Sequence, residues 1–321
     1  MKRVLKFYRN LILGKVFKMN ISITNKCNMR CKTCCVWKKV NKKREVELSL
    51  EDFELLFDNF HNLNWVSFTG GEPFLRKDLV DIIPMALKKC SALHTISITT
   101  NGFLTSKIIN VVKSVLESKL PSFYISISLD GLRKEHDVIR GLNRSFKNAM
   151  NTFKKLKEIK DKRLKVHFEY TISKFNQGNL AKTVKTLDLT PEDFIITIAD
   201  NSFFYNNLNE SVKPDKQILF SDIKWFLSNH NGNSIHDIAV RLFLKSIIKN
   251  KRIPCTSGKN SYYVDSYGSI YPCIFLKKKL GNFKSRKIKD FQYPGCKCYS
   301  PCESFLSLLL NIPRVFLKLY L

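Results

Sequence analysis

Short apolar runs alternate with longer helical segments along the first two thirds of this 321-residue chain. Six runs rich in β-branched and aromatic residues predict strands. The predicted strands are residues 19–24, 65–69, 94–99, 123–129, 166–172 and 194–198. Helical periodicity covers residues 50–60, 79–89, 106–116, 146–159 and 180–187, with a helical spacer over 213–250. Strands that alternate with helices form βαβ units around a parallel sheet, so we predict an α/β fold.

The predicted strands are nearly continuous apolar runs, which is typical of strands covered on both faces. The pattern leaves two α/β architectures open, a doubly wound sheet and an incomplete barrel. Beyond residue 251 the helical periodicity ends, and cysteine, glycine, tyrosine and proline become more frequent. Within this part, residues 262–265 and 269–271 flank a turn and predict a β-hairpin.

The same patterns divide the chain into five parts. We predict a basic amphipathic helix over residues 1–18, an α/β unit over 19–210 and a helical linker over 211–250. A small cysteine-rich module over 251–303 follows, and an apolar tail covers residues 304–321.

Both ends of the chain combine apolar with basic residues. On a helix, the apolar residues of the N-terminal segment share one face: Val4, Leu5, Tyr8, Leu11, Ile12 and Val16. The C-terminal tail is apolar, contains Pro313 and is too short to span a bilayer. Basic amphipathic ends suit a peripheral anchor on the inner face of an anionic membrane. Packing of both ends on the body of the protein is the alternative.

The chain is strongly basic, with 55 Lys and Arg residues against 27 Asp and Glu and a formal net charge of +28. Such a surface favours polyanions, such as nucleic acid, an anionic membrane or a phosphorylated substrate. The codon bias of an AT-rich genome accounts for the excess of lysine equally well. Because no RNA-recognition motif or arginine-rich tail is visible, nucleic acid is not the expected partner.

Ten cysteines are many for a chain without a recognisable secretion signal or an apolar stretch long enough to span a membrane. We therefore expect a cytoplasmic protein, where clustered thiols indicate metal or redox sites rather than disulfides.

Three of the cysteines, Cys27, Cys31 and Cys34, follow the first predicted strand. In α/β folds, functional sites gather on the loops at the carboxyl ends of strands. Thiolates select zinc, copper(I) or iron–sulfur clusters, and three ligands leave one iron of a four-iron cube open for catalysis. A structural zinc would need a fourth ligand, for which the adjacent Cys35 is poorly placed. The loop favours a catalytic cluster over zinc.

A second motif, Gly70-Gly71-Glu72-Pro73, ends the second predicted strand. Paired glycines allow the backbone to approach a ligand where a Cβ atom would clash. The four residues alone would be weak evidence for a ligand site. Because this motif follows the cysteine loop by one βα unit, it is strong evidence.

With both motifs in place, the sequence resembles the radical S-adenosylmethionine (SAM) superfamily over residues 19–200. The cysteine signature CNMRCKTC and the segment TGGEP carry the resemblance, together with residues 99–102, 126–131 and 136–141. The family commonly has an aromatic residue or histidine before the third cysteine, where this chain has Thr33.

The resemblance implies a partial (β/α)6 TIM-type barrel with a small C-terminal cysteine-rich auxiliary-cluster module. It implies that Cys27, Cys31 and Cys34 bind a 4Fe-4S cluster whose open iron is chelated by SAM. Reductive cleavage of SAM would give a 5′-deoxyadenosyl radical that abstracts hydrogen from a substrate.

The resemblance also implies which residues bind SAM, all of them at strand ends: Gly70, Gly71, Glu72, Pro73, Asn101, Ser128 and Asp130. The Gly-Gly-Glu segment would bind the methionine amino group, and the last three residues the ribose and carboxylate. For Ser128 and Asp130, capping of the turn after the strand is the alternative.

Five cysteines near the C-terminus predict a second metal centre: Cys255, Cys273, Cys296, Cys298 and Cys302. The spacing Cys-x12-Gly-x4-Cys resembles the opening of the auxiliary modules called SPASM and twitch. The resemblance implies one auxiliary 4Fe-4S cluster held by Cys255, Cys273, Cys298 and Cys302, with Cys296 left open; zinc is the alternative. Cys35 and Cys90 are interpreted as thiols without a metal.

Relatives with such modules commonly modify peptides or proteins, so that substrate class is the leading expectation. Small molecules and a membrane-associated lipid or isoprenoid are alternatives, the lipid because of the termini. An acidic electron donor such as flavodoxin or ferredoxin suits the basic surface. A zinc-stapled nucleic-acid-binding protein is the alternative of another class. No general base is assigned, although Glu169 or Tyr170 on the fifth strand could face the interior.

Overall fold

The computed structural model describes residues 2–13, 15, 17–39, 46–251, 255–285, 287–289, 291 and 307–308. Within them one sheet contains the strands β1 (Lys18–Thr24), β2 (Trp65–Gly70), β3 (Thr95–Thr100), β4 (Ser122–Ser128), β5 (Leu164–Ile172), β6 (Phe194–Ile198), β7 (Ser261–Val264), β8 (Ser269–Tyr271) and β9 (Gly281–Asn282). The helices are α1 (Lys2–Ile12), α2 (Leu50–Asn59), α3 (Leu79–Lys89), α4 (Thr105–Leu116), α5 (Arg133–Arg140), α6 (Ser145–Lys157), α7 (Leu180–Thr186), α8 (Lys216–Asn229) and α9 (Ile235–Ile248).

The first six strands are parallel and lie side by side in chain order, from β6 at one edge to β1. A doubly wound sheet would reverse its strand order at a switch point, and this sheet does not. Among the described strands β6 and β9 are the edges, so the sheet is not closed. The predicted α/β class is confirmed, as a partial barrel of the TIM type.

The two faces of the strands differ in chemistry. In β4, Phe123, Ile125 and Ile127 are fully buried in the core under the helices. The alternate residues Tyr124 and Ser126 face a cavity inside the barrel. The inner face therefore carries polar as well as aromatic side chains, while β1 is buried along its whole length, as expected for a strand covered on both faces.

Capping residues set the ends of the helices. The Ser49 hydroxyl accepts a hydrogen bond from the Asp52 amide at 3.2 Å, and the Asp52 carboxylate accepts one from the Ser49 amide at 3.0 Å. This capping box starts α2 at the predicted position. At the other end of its helix, Gly141 terminates α5 with a φ of 64°, a left-handed conformation that suits glycine.

The C-terminal part extends the barrel sheet. β7 and β8 form the predicted antiparallel hairpin, and β7 also pairs in parallel with β1 on its other side. The sequence did not indicate this second pairing, because β7 has four residues and lies far from β1 along the chain. The same part adds the short strand β9, antiparallel to β8.

Helix α1 packs on the amino-terminal side of the barrel. The Arg3 guanidinium donates hydrogen bonds to the carbonyls of Leu87 and Cys90 at 2.6 and 2.7 Å. Phe7 is buried and its ring lies 4.3 Å from that of His94. Within the described part of the chain, no helix is long and apolar enough to cross a membrane.

Candidate active site

The carboxyl ends of the parallel strands surround a cavity of about 180 Å³. Its wall contains most of the residues predicted to bind the cluster and SAM: Cys27, Cys31, Cys34, Gly70, Gly71, Glu72, Asn101 and Ser128. Motifs far apart in sequence meet here because the ends of parallel strands share one edge of the sheet. Pro73 and Asp130 are buried and do not border the cavity.

The two glycines hold the end of β2 against the cysteine loop. A Cβ atom on Gly70 would overlap the Thr24 carbonyl, and one on Gly71 would overlap the Lys26 carbonyl. The Gly71 amide donates to the Thr24 carbonyl at 2.7 Å. Both glycines thus lie against the backbone that leads into the cysteine loop, and their close approach to a ligand stays a prediction.

Glu72 joins the ends of β2 and β3. Its carboxylate accepts hydrogen bonds from the Thr100 hydroxyl at 2.7 Å and from the Asn101 amide at 2.7 Å. A third bond comes from the Phe74 amide at 3.2 Å. Burial raises the pKa of Glu72 to about 6, against the lowering effect of these donors. The three hydrogen bonds use most of the capacity of the Glu72 carboxylate to accept hydrogen bonds within the protein.

The raised pKa of Glu72 predicts a pH dependence of stability. Its pKa is 4.5 in the reference state and about 6 in the fold, so the folded protein binds the extra proton between these values. Its contribution to stability is therefore present at low pH and falls by about 1 kcal/mol from pH 5 to pH 7. Urea unfolding of apo-protein at both pH values should show this fall in wild type and not in Glu72→Gln. Equal pH dependence in the two proteins would contradict the prediction.

Asn101 connects β3 with the cysteine loop. Its amide nitrogen donates to Asn28 Oδ1 at 2.7 Å, and its carbonyl oxygen accepts from the Phe103 amide at 2.9 Å. The side chain borders the cavity, but its position is set by these protein contacts. Ser128 lies on the wall with only 8% of its surface exposed.

Asp130 lies behind the wall and holds a cation in place. The nitrogen Nε of Arg140 lies 2.7 Å from Asp130 Oδ2. This N–H bond does not point along the contact, so it is an ion pair rather than a well-aligned hydrogen bond. Asp130 also accepts from the Thr171 amide at 3.2 Å. The Asp130 carboxylate is 1% exposed and does not border the cavity, so a contact with SAM stays a prediction.

Arg140 brings a buried positive charge to the cavity beside a predicted cluster ligand. Its Nη1 lies 3.9 Å from the Cys31 sulfur. Burial alone would lower its pKa, but Asp130 and Cys31 raise the pKa of Arg140, so it stays charged. From the sequence, this residue has no assigned role beyond its place in the segment 136–141. The sequence shows only an arginine shortly after the fourth strand. Its position beside the cavity depends on the path of helix α5, which the sequence does not reveal.

The thiols of the cysteine loop are protonated in the metal-free protein. Burial raises the pKa of Cys27 and of Cys34 to about 12, and it also raises the pKa of Cys31. A metal centre must therefore displace protons to bind here. No three His, Cys, Asp or Glu side chains in the described ranges are arranged to hold a metal ion. The soft donors on one cavity wall nevertheless fit a thiolate-ligated iron–sulfur cluster.

The structure describes two of the five C-terminal cysteines. Cys273 is buried and accepts a hydrogen bond from the Phe275 amide at 3.4 Å, and Cys255 is half-buried. Cys296, Cys298 and Cys302 lie outside the described residues. The second metal centre therefore stays a prediction. Of the two cysteines interpreted as metal-free, Cys90 lies in the hydrophobic core.

The strand alternation separates the two residues proposed to face the interior. Glu169 lies on the wall of the cavity, with its Oε2 atom 3.5 Å from the Thr99 hydroxyl. Tyr170 is fully buried in the core on the outer side of β5. Burial raises the pKa of Glu169, while the charge of Arg140 opposes the rise.

Comparison with known proteins agrees with this arrangement. The family model described as the Radical SAM superfamily matches residues 21–187. The chain is 32% identical over 157 residues to the Fe-coproporphyrin III synthase of Methanosarcina barkeri, a match that covers 48% of this chain and 37% of that protein. It is 30% identical over 296 residues to the sporulation killing factor maturation protein SkfB of Bacillus subtilis, covering 88% of this chain and 66% of SkfB.

The fold is also similar to that of solved proteins. The structure of native anSMEcpe with bound AdoMet and the Kp18Cys peptide matches with a TM-score of 0.60 and 18% sequence identity, over 94% of this chain and 98% of that one. At this identity the likeness shows the fold. The chain spans 37% to 66% of the length of the first curated relatives that it matches.

Proposed function

The chain belongs to the radical SAM superfamily of enzymes, and we propose that it modifies a peptide or protein by abstracting hydrogen from it. The meeting of three thiols with a buried guanidinium on one cavity wall supports this function most directly. The family implies a 4Fe-4S cluster and SAM. When bound, these cofactors supply the electron and the radical that abstracts hydrogen from the substrate.

The chain's own residues have distinct tasks in this function. Cys27, Cys31 and Cys34 would hold the cluster on the cavity wall. Arg140 offers a permanent positive charge that suits the carboxylate of SAM, and Asp130 fixes its position. Glu72 would use its remaining lone pair for the amino group of SAM.

The extent of similarity favours a peptide over a small molecule. The match to Fe-coproporphyrin III synthase covers 48% of this chain, about the length of the barrel. The match to SkfB, whose name describes maturation of a killing factor, covers 88% of this chain and so extends well beyond the barrel. The anSMEcpe structure with the similar fold also holds a bound peptide.

The C-terminal cysteines extend the proposal to a second cofactor. Cys255, Cys273, Cys298 and Cys302 would bind one auxiliary 4Fe-4S cluster, as their spacing predicts. The electron donor would be an acidic protein such as flavodoxin or ferredoxin, because the chain carries a net charge of +28.

Protease treatment tests the substrate class. Reconstituted enzyme with SAM and a reductant should form 5′-deoxyadenosine faster when a low-molecular-mass extract of the source cells is added. If the substrate is a peptide, prior digestion of the extract with a broad protease removes the stimulation. Stimulation that survives digestion would refute the peptide and favour a small molecule or lipid.

The exposed side of α1, together with Leu13 just after the helix, supports a peripheral membrane contact as a second proposal. Leu5, Tyr8 and Leu13 are 64%, 49% and 51% exposed, next to the exposed basic residues Lys6 and Arg9. Of the predicted apolar face, Leu5 and Tyr8 thus point away from the barrel. An exposed apolar and basic helix face suits the surface of an anionic bilayer.

Liposome flotation tests this contact. Leu5→Glu/Tyr8→Glu should reduce binding to anionic vesicles by about thirtyfold or more, since each of the two apolar side chains withdrawn costs about 1 kcal/mol or more. Val138→Glu/Ile238→Glu, which changes two exposed apolar residues elsewhere, should bind as wild type does. Failure of the wild type to float at low salt would refute the membrane contact.

A further inference from the structure

Three segments meet at the mouth of the cavity and form a ring of aromatic and lysine side chains. We call this ring the collar and define it by six residues: Trp37, Lys39, Phe203, Tyr205, Phe275 and Lys277. Trp37, Tyr205 and Phe275 line the cavity itself. Phe203 is 37% exposed, and Lys277 is exposed. The collar therefore joins the reaction cavity to the protein surface.

Hydrogen bonds to backbone carbonyls fix the segments of the collar to each other. The Cys35 amide donates to the Tyr205 carbonyl at 2.8 Å, which ties the cysteine loop to the segment 201–210. Asn207 donates to the Thr33 carbonyl at 2.8 Å. The Ser202 hydroxyl donates to the Ile274 carbonyl, which ties the same segment to the turn after β8. The collar is thus a preformed surface held to the cysteine loop.

The lysines of the collar lie against its aromatic rings. The ammonium of Lys277 is 4.0 Å from the ring centre of Phe203, and that of Lys39 is 5.4 Å from the same ring. Lys39 also donates to the Phe204 carbonyl at 2.8 Å. These contacts hold two positive charges beside an exposed ring.

Positive charge exceeds negative charge around the collar. Residues 36–39, 200–213 and 273–279 contain six lysines and two acids. Each acid pairs with a lysine, Glu210 with Lys38 at 3.2 Å and Asp200 with Lys213 at 2.6 Å. Within these three segments the lysines outnumber the acids by four.

We propose that the collar binds an acidic, aromatic-containing segment of the peptide substrate next to the residue that is modified. This inference rests on the proposed function. Because only the reacting residue enters the cavity, its neighbours in the peptide lie across the mouth. Acidic side chains there meet Lys39 and Lys277, and apolar or aromatic side chains pack on Phe203 and Phe275.

Fluorescence anisotropy with synthetic peptides tests the collar without a known substrate. Three labelled peptides of equal length alternate Glu with Phe, Glu with Ser, or Lys with Phe. The reconstituted full-length protein should bind the Glu/Phe peptide most tightly. Lys39→Glu/Lys277→Glu should weaken this binding by about tenfold, because attraction becomes repulsion. Lys154→Glu/Lys155→Glu on the exposed side of α6 has the same net charge and should bind as wild type does.

A neutral variant covers the case in which the charge-reversed protein does not fold. Phe203→Ala removes the exposed ring and should weaken the Glu/Phe peptide while leaving the Glu/Ser peptide unchanged. Equal weakening by both lysine pairs, or equal binding of the Glu/Phe and Lys/Phe peptides, would overturn the collar. Displacement of the peptide by an acidic flavodoxin would assign the surface to the electron donor and also overturn it.

The anisotropy experiment and the protease experiment test the collar and the peptide substrate independently. Anisotropy reports binding at the mouth, whereas the protease experiment reports turnover of the natural substrate. Loss of the stimulation after digestion, with no collar-dependent binding, would refute the collar and leave a peptide substrate in place. A protease-resistant stimulation would refute the peptide substrate, and the collar as a substrate site with it.

Discussion

Replacing Cys31 with alanine is expected to abolish the formation of 5′-deoxyadenosine in the reconstituted enzyme. Cys31 is buried on the cavity wall and would be one of three ligands that hold the cluster. Loss of an outer-shell partner already costs about 10–100-fold at metal sites, so loss of a ligand should cost more than about 100-fold. The iron content should fall from about eight per chain, for two cubes, to about four. Chromatography of the SAM products and iron analysis provide the two measurements.

Two other cysteine variants serve as controls. Cys35→Ala removes the neighbouring thiol, which is buried and lies 3.9 Å from Glu210, and should retain both the iron and the activity. Cys273→Ala should lose about half of the iron and still cleave SAM, since it would belong to the auxiliary cluster. Loss of SAM cleavage in Cys35→Ala, or full activity in Cys31→Ala, would show that the ligands are assigned wrongly.

Local patterns predict the order of the secondary structure well. α3 and β6 have the predicted ends, because each is an apolar segment between clear polar boundaries. The cysteine loop and the Gly70-Gly71 segment are expected at the same sheet edge, and both line one cavity. Parallel strands bring the motifs that follow them together in any α/β fold. The positions of the motifs along the chain are therefore enough to predict that they lie close together.

Long-range partners are not predictable in the same way. Helix α5 has only two buried residues, His136 and Ile139, so its sequence shows no apolar periodicity. The pairing of Arg140 with Asp130 depends on the path of this helix back to the cavity. The pairing of β7 with β1 likewise depends on the fold of the residues between them. The polar residues on the inner face of a strand do not show which distant residues pack against them inside the barrel.

Removing either partner of the Asp130–Arg140 pair is expected to destabilise the fold by about 3–5 kcal/mol, because an unpaired charge then stays buried. Asp130 is 1% exposed, and Arg140 is the partner that compensates its charge. A matched surface pair, Lys157 with Asp193 at 2.9 Å, should lose about 1 kcal/mol or less when Lys157 becomes methionine. Urea unfolding of the metal-free proteins measures all three changes. Losses of similar size in the buried and surface variants would contradict the assignment.

The loss of stability should depend on pH differently in the two buried variants, and this difference identifies the charge that stays buried in each. Burial already raises the pKa of Asp130, and Arg140 opposes that rise. In Arg140→Met the pKa of Asp130 rises further, so the carboxyl binds a proton in the fold and the loss of stability shrinks as the pH is lowered. In Asp130→Asn the guanidinium cannot release its proton, so the loss of stability does not shrink as the pH is lowered. Parallel stability curves for the two variants from pH 5 to pH 8 would show that burial of an uncompensated charge is not the cause.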